Sequence, residues 1–193
     1  MALRELYSLA EQYSVEFLEK CRPEWDVPHT RAVFHYAKLL TRAARQDMVV
    51  IPTAAWLHDI GYYGLFHGDS KDLAAVMDRK ERHMVVGAQM AMEFISREDV
   101  AKLISIDQGE RIVHLVRVHD KLEELTQLDE KILAMADTLG AIDVRRVKPT
   151  FKGEDKARYL EKELHGRREL IFVTDLGERL LRKIIPKFEN YRG

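Results

Sequence analysis

Apolar residues recur at three- and four-residue intervals along nearly the whole chain. No segment alternates apolar and polar side chains as a half-buried strand does. That periodicity restricts the chain to an all-α fold built from amphipathic helices packed on one another. Caps and breakers then place the elements. The spacing predicts helices over about residues 2–20, 26–45, 71–77, 82–95, 109–119 and 129–144. Asp26 is the expected N-cap of the second, with Pro28 in its first turn. A further short helix is opened by Pro52 and stopped by Gly61. Tyr62–Ser70, with Gly64, Gly68 and Asp69, reads as a loop. Beyond Pro149 and Gly153 the pattern predicts a charged helix over about 154–164 and a last one over about 175–185. Between them, Leu170–Val173 reads either as a short extended piece or as part of the last helix.

Composition narrows the function classes. With 193 residues, 46% of them hydrophobic, the chain can bury one sizeable core, and a single domain over residues 1–193 is expected. Lys and Arg total 31 against 32 Asp and Glu, a net charge of −1, so neither a nucleic-acid nor a membrane partner is expected. The single cysteine, Cys21, excludes an internal disulfide framework and a Cys-ligated zinc site. No apolar run approaches the roughly 18 residues of a membrane span. The N-terminal stretch carries Glu5, Glu11, Glu16 and Glu19 among its apolar residues, so it reads as an amphipathic helix and not a signal peptide. The expected compartment is the cytoplasm, and a homodimer is compatible with the sequence.

The informative residues are polar side chains on apolar faces. His29 heads a stripe with Val33, Tyr36, Ala37 and Leu40, and His83 heads one with Val86, Gly87, Met90, Ala91 and Phe94. His119 closes a stripe of Ile112, Leu115 and Val116, whereas His114 falls about 160° from it and is expected in solvent. His58 and Asp59 interrupt Ala-Ala-Trp-Leu-His-Asp-Ile-Gly, and Asp137 interrupts Ile-Leu-Ala-Met-Ala-Asp-Thr-Leu-Gly. One such histidine alone is most simply a core residue bonded to a carbonyl. A buried carboxylate needs a cation, a donor cluster or a metal, because leaving it unpaired costs several kcal/mol. Five helices each offering an inward His or Asp converge most economically on one metal centre, and imidazole plus carboxylate suits Fe, Mn, Co, Ni or Zn.

The order His29, His58-Asp59, Asp137 resembles the HD-domain metal-dependent phosphohydrolase superfamily. The wording around it is similar too: Val-Pro-His29-Thr-Arg-Ala-Val, Ala-Ala-Trp-Leu-His58-Asp59-Ile-Gly and Ala-Met-Ala-Asp137-Thr-Leu. The resemblance covers about residues 20–145, leaving about 150–193 as a helical C-terminal extension. It implies an all-α bundle with the metal between helices and a first ion on His29, His58, Asp59 and Asp137. Arg-His83-Met-Val-Val-Gly-Ala-Gln and Val-Arg-Val-His119-Asp look like the two extra histidines of dinuclear members, and Asp59 would then bridge two ions. The Gly-Tyr-Pro signature of the cyclic-di-nucleotide phosphodiesterase branch is replaced by Gly61-Tyr62-Tyr63-Gly64. The chain looks more like the small dinuclear hydrolases, including the diadenosine tetraphosphate hydrolase-like group.

That resemblance implies one or two divalent transition-metal ions per chain, with Fe, Mn, Co or Ni ahead of Mg and Zn. The implied substrate is a small, nucleotide-like phosphoester cleaved by a metal-activated hydroxide. Basic residues near the ligands in sequence are candidates for the phosphate oxygens: Arg31, Arg82, Arg117, Lys121, Arg145 and Arg146. Lys121 ranks first because it follows His119 at a helix end. Asp120 is a candidate for orienting His119 or water, or an exposed residue. Tyr62, Tyr63, Phe66 and His67 read either as a wall for an organic moiety or as loop packing. The charge-rich run Lys152–Glu169 reads as a solvated helix surface. Two other classes share the ligand pattern: an HD-type mixed-valent diiron oxygenase, and a noncatalytic metal-stabilised binding or regulatory module.

Overall fold

Leu6, Ala10, Ser14 and Leu18 recur every four residues and are all buried, so Ala2–Leu18 winds as α1 with one face on the core. The computed structural model describes residues 2–22, 24–65, 78–149, 156–157 and 159–192. The same periodicity builds α2 (Asp26–Ala43), α3 (Val50–Leu57), α4 (Lys80–Ile95), the short α5 (Glu98–Ala101), α6 (Ile106–Val118), α7 (Leu128–Ile142), α8 (His165–Ile171) and α9 (Asp175–Glu189). Single 3₁₀ turns cover Ile60–Tyr62 and Leu122–Glu124, and a π-helical turn, Tyr159–Leu164, leads into α8. Among the described residues there is no strand, and no helix is long and apolar enough to cross a membrane. The fold is an all-α bundle.

Two helix pairings frame the centre. α2 lies along α7 in the most extensive helix pairing among the described residues. Gly140 makes this approach feasible: a Cβ there would sit 2.7 Å from Val33 Cγ2 and 3.0 Å from Val33 N. Facing side chains of these helices include His29 and Asp137. α4 packs on α6 and on the 3₁₀ turn after α3. There Gly61 touches α4 backbone directly, because a Cβ would fall 1.9 Å from the His83 carbonyl oxygen and 2.4 Å from Gly87 N. The Gly61–Gly87 contact brings the His58-Asp59 corner and the start of α4 together.

Several boundaries differ from expectation for local reasons. Asp26 does not cap α2; its buried carboxylate accepts bonds from the Arg22 backbone N–H and guanidinium, and Trp25 occupies the N-cap position. Leu170 and Ile171 finish α8, where Ile171 is fully buried, and form no extended piece. Thr174 then caps α9 by accepting from Gly177 N at 3.1 Å. The predicted helix 71–77 and most of the loop, including Phe66 and His67, lie outside the described residues.

Candidate metal centre

Each implicated side chain is placed by a simple local device. His29 and His83 sit in the first turns of α2 and α4, where their apolar stripes begin. His58 and His119 terminate α3 and α6. A helix end leaves carbonyls without intrahelical partners, and each terminal imidazole uses one. His58 Nδ1 lies 2.9 Å from the Ala55 carbonyl oxygen and His119 Nδ1 lies 2.8 Å from that of Val116. With Nδ1–H donated, Nε2 carries the lone pair and faces the centre. His29 and His83 are oriented by aromatic rings instead. Trp25 stacks on His29 at 5.4 Å between centroids and Tyr62 on His83 at 4.1 Å. Their Nδ1 atoms are buried without a hydrogen-bond partner among the described residues.

The six residues form two triads sharing a wall. His29, His58 and Asp137 each direct one donor atom into the first, and Asp59, His83 and His119 into the second, all within 4.8 Å in each triad. Asp137 Oδ1 lies 3.1 Å from His29 Nε2 and 3.7 Å from His58 Nε2. Asp59 divides its carboxylate: Oδ2 is 3.5 Å from His29 and 3.3 Å from His58, while Oδ1 is 3.5 Å from His83 and 3.7 Å from His119. Within each triad the two Nε2 atoms face each other at 3.3 Å.

Electrostatics shows what charge this cluster favours. Burial opposes the charge of Asp59, but His58, His119 and His29 hold it well below the usual carboxylate range. Burial likewise opposes Asp137, and His29 and Arg167 pull it down. His58 is fully buried, which disfavours its cation, yet Asp59 and Asp137 push its pKa up to about 9. His83 goes the other way, to about 4, through burial and the neighbouring His119. The two carboxylates thus favour positive charge at this position. The donor set fits a divalent ion: donors about 2.1 Å from one ion lie about 3–3.4 Å from one another, the separation of the paired Nε2 atoms.

The HD-domain family model matches residues 27–145, well over half of the chain and every residue of both triads. The chain belongs to the HD-domain family. No curated protein and no solved structure matches it. The HD domain implies a superfamily of metal-dependent, hydrolase-type proteins, in keeping with a His/Asp cluster that fits a divalent metal.

Around this HD centre the other expected residues are distributed unevenly. Asp120 is nearly buried; its Oδ1 accepts from Arg167 Nη2 at 2.7 Å and lies 3.3 Å from Lys80 Nζ. Burial resists its ionisation, and Arg167 and Lys80 overcome that. Its carboxylate is therefore paired with two cations, which corrects the expectation of an exposed residue. Lys121 is half-exposed, pairs with Glu124 at 3.4 Å and lines an open cleft of about 410 Å³. That cleft is also bordered by Lys80, Met84, Asp120, Arg167 and Leu170.

Five candidate substrate contacts need correction. Arg31 is exposed and bonded to Glu11 of α1, because two positions past His29 is a rotation of about 200°. Arg82 is exposed, rotated about 100° from His83, and Lys80 is the cation of that turn that reaches Asp120. Arg145 and Arg146 pair with Asp143. Tyr62 is buried, with His83 stacked on its ring and the Arg22 guanidinium 5.2 Å from the ring centroid, so it packs against the His83 ring and is not open to a substrate base. His67 lies outside the described residues. The structure places His119 at 1% exposure in the cluster and His114 on the surface, bonded to Glu130 at 2.8 Å. Sequence reasoning missed Arg167.

Proposed function

We propose that this HD-domain protein is a metal-dependent phosphohydrolase acting on a small, nucleotide-like phosphoester. One observation carries the reading: the Asp59 carboxylate has one oxygen toward each of two buried His-rich triads. In this reading His29, His58, Asp59 and Asp137 would hold one divalent ion, and His83, His119 and Asp59 would hold the other. Mn, Fe, Co and Ni match this nitrogen and carboxylate set. Bound ions of this kind supply Lewis acidity and lower the pKa of a coordinated water toward about 7.

The chain's own residues do the rest. Ala55 and Val116 carbonyls keep the proton of His58 and His119 on Nδ1. Trp25 and Tyr62 exclude water from two ring faces. Lys121 and Lys80, which line the cleft beside Asp120, would contact non-bridging phosphate oxygens in this reading. The net charge of −1 accords with a small phosphorylated substrate over a nucleic acid or membrane.

The test is metal analysis of anaerobically purified protein, followed by a phosphoester panel with Mn, Co, Ni, Fe and Mg. Hydrolysis under nitrogen with Mn or Co is expected. Turnover that requires both iron and oxygen would replace the hydrolase with the diiron oxygenase. Bound metal with no turnover of either kind would leave a binding module.

A further inference from the structure

The charged run that reads as solvated surface contains a buried cation. Arg167 of α8 is only 8% exposed and lies beyond residue 145, where the HD-domain match ends. Its Nη1 is 3.4 Å from Asp137 Oδ2 and 3.3 Å from Thr138 Oγ1, and its Nη2 donates to Asp120 Oδ1 at 2.7 Å. The Asp137 carboxylate is thereby divided. Oδ2 meets the guanidinium, and Oδ1 is turned to His29 at 3.1 Å and His58 at 3.7 Å.

A guanidinium is a rigid planar fork, so fastening one carboxylate oxygen fixes the direction of the other. Asp120 adjoins His119, whose ring belongs to the second triad. One side chain therefore ties the Asp137 helix and the His119 corner to a single point. A buried cation is costly unless paired, and here both carboxylates pair with it.

We infer that Arg167 is a positioning residue of the metal centre, supplied by the C-terminal segment from outside the family-matched region. It holds Asp137 Oδ1 toward His29 and His58 and steadies the His119-Asp120 corner. The inference rests on the reading of the six residues as metal ligands. Outer partners of ligating groups typically alter metal affinity by about 10–100-fold.

The experiment titrates Mn(II) and Co(II) into metal-free full-length protein and the variants Arg167→Met, Arg167→Lys and Asp120→Asn, without substrate. Helicity and thermal midpoint of the metal-free forms report folding. Arg167→Met should weaken metal binding about 10–100-fold and shift the Co(II) absorption spectrum. Arg167→Lys should recover part of the loss, and Asp120→Asn should show a smaller one. If Arg167→Met does not fold, Arg167→Lys and Asp120→Asn carry the same readouts. A folded Arg167→Met protein with wild-type affinity and spectrum overturns the inference. Absence of metal binding in the wild type overturns the ligand reading itself, and this inference with it. Wild-type binding that the variants leave unchanged overturns the inference alone.

Discussion

Adding one methyl group at Gly61 should separate the two halves of the centre. In Gly61→Ala the new Cβ would meet the His83 carbonyl oxygen at 1.9 Å and Gly87 N at 2.4 Å. Ordinary contact begins near 3.4 Å, so α4 must retreat by about 1.5 Å. Both obstacles are backbone atoms, which no rotamer change can clear. Overpacking usually costs about 1–3 kcal/mol, and a rigid clash belongs at the upper end. For a chain of this size, about 3 kcal/mol lowers the thermal midpoint by about 6–12 °C. The displacement also carries His83, which starts 3.5 Å from Asp59 Oδ1, well outside the about 0.5 Å tolerance of a functional site. Metal content should fall from two toward one per chain. Gly166→Ala is the control: nothing lies within 4 Å of its Cβ, so in α8 it should be neutral or stabilising by up to about 1 kcal/mol. Calorimetry and metal analysis of both proteins decide the matter. A Gly61→Ala protein with the wild-type midpoint and full metal content would refute the argument.

Other outcomes follow from the same geometry. Asp59→Ala should abolish metal binding and activity while circular dichroism retains the helical signal, since Asp59 faces both triads. His119→Ala should lower metal content toward one and cut turnover by orders of magnitude, whereas His114→Ala, an exposed change, should cost within about 0.5 kcal/mol beyond its Glu130 bond. Without metal, the His58 pKa of about 9 lies above its ordinary value of 6.5. Its stabilisation is thus fully present below pH 6.5 and lost as pH rises through 9. Thermal midpoints of chelator-treated protein should decline over that window. The metal-loaded protein should not share that decline, and parallel curves would count against His58 as a ligand. Acid should instead strip the metal below about pH 6, as protons compete for the imidazoles.

Helix positions were legible because the apolar stripes that bury α1, α2, α4, α6 and α7 repeat at helical spacing. The centre was legible for a related reason. Asp59 and Asp137 are carboxylates in otherwise apolar stretches, and burial without a partner would be prohibitive. The choice of His119 over His114 needed only the rotation per residue. Contacts between distant segments were not legible. Arg167 sits among charged neighbours, and its partners Asp120 and Asp137 lie 47 and 30 positions upstream. Periodicity carries no such information. Arg31 and Arg82 show the converse error, since nearness in sequence to a ligand places a helical side chain on another face. Asp26 precedes Pro28 as an N-cap would, but burial beside Arg22 outweighs the capping bond.

The central claim is that two divalent ions share the Asp59 carboxylate. A crystal structure of the Mn-loaded protein, with anomalous maps, tests it most directly. Two peaks are predicted, one among His29, His58, Asp137 and Asp59 Oδ2, the other among His83, His119 and Asp59 Oδ1. A map with no peak between these residues, or with Asp59 turned away from both triads, would contradict it.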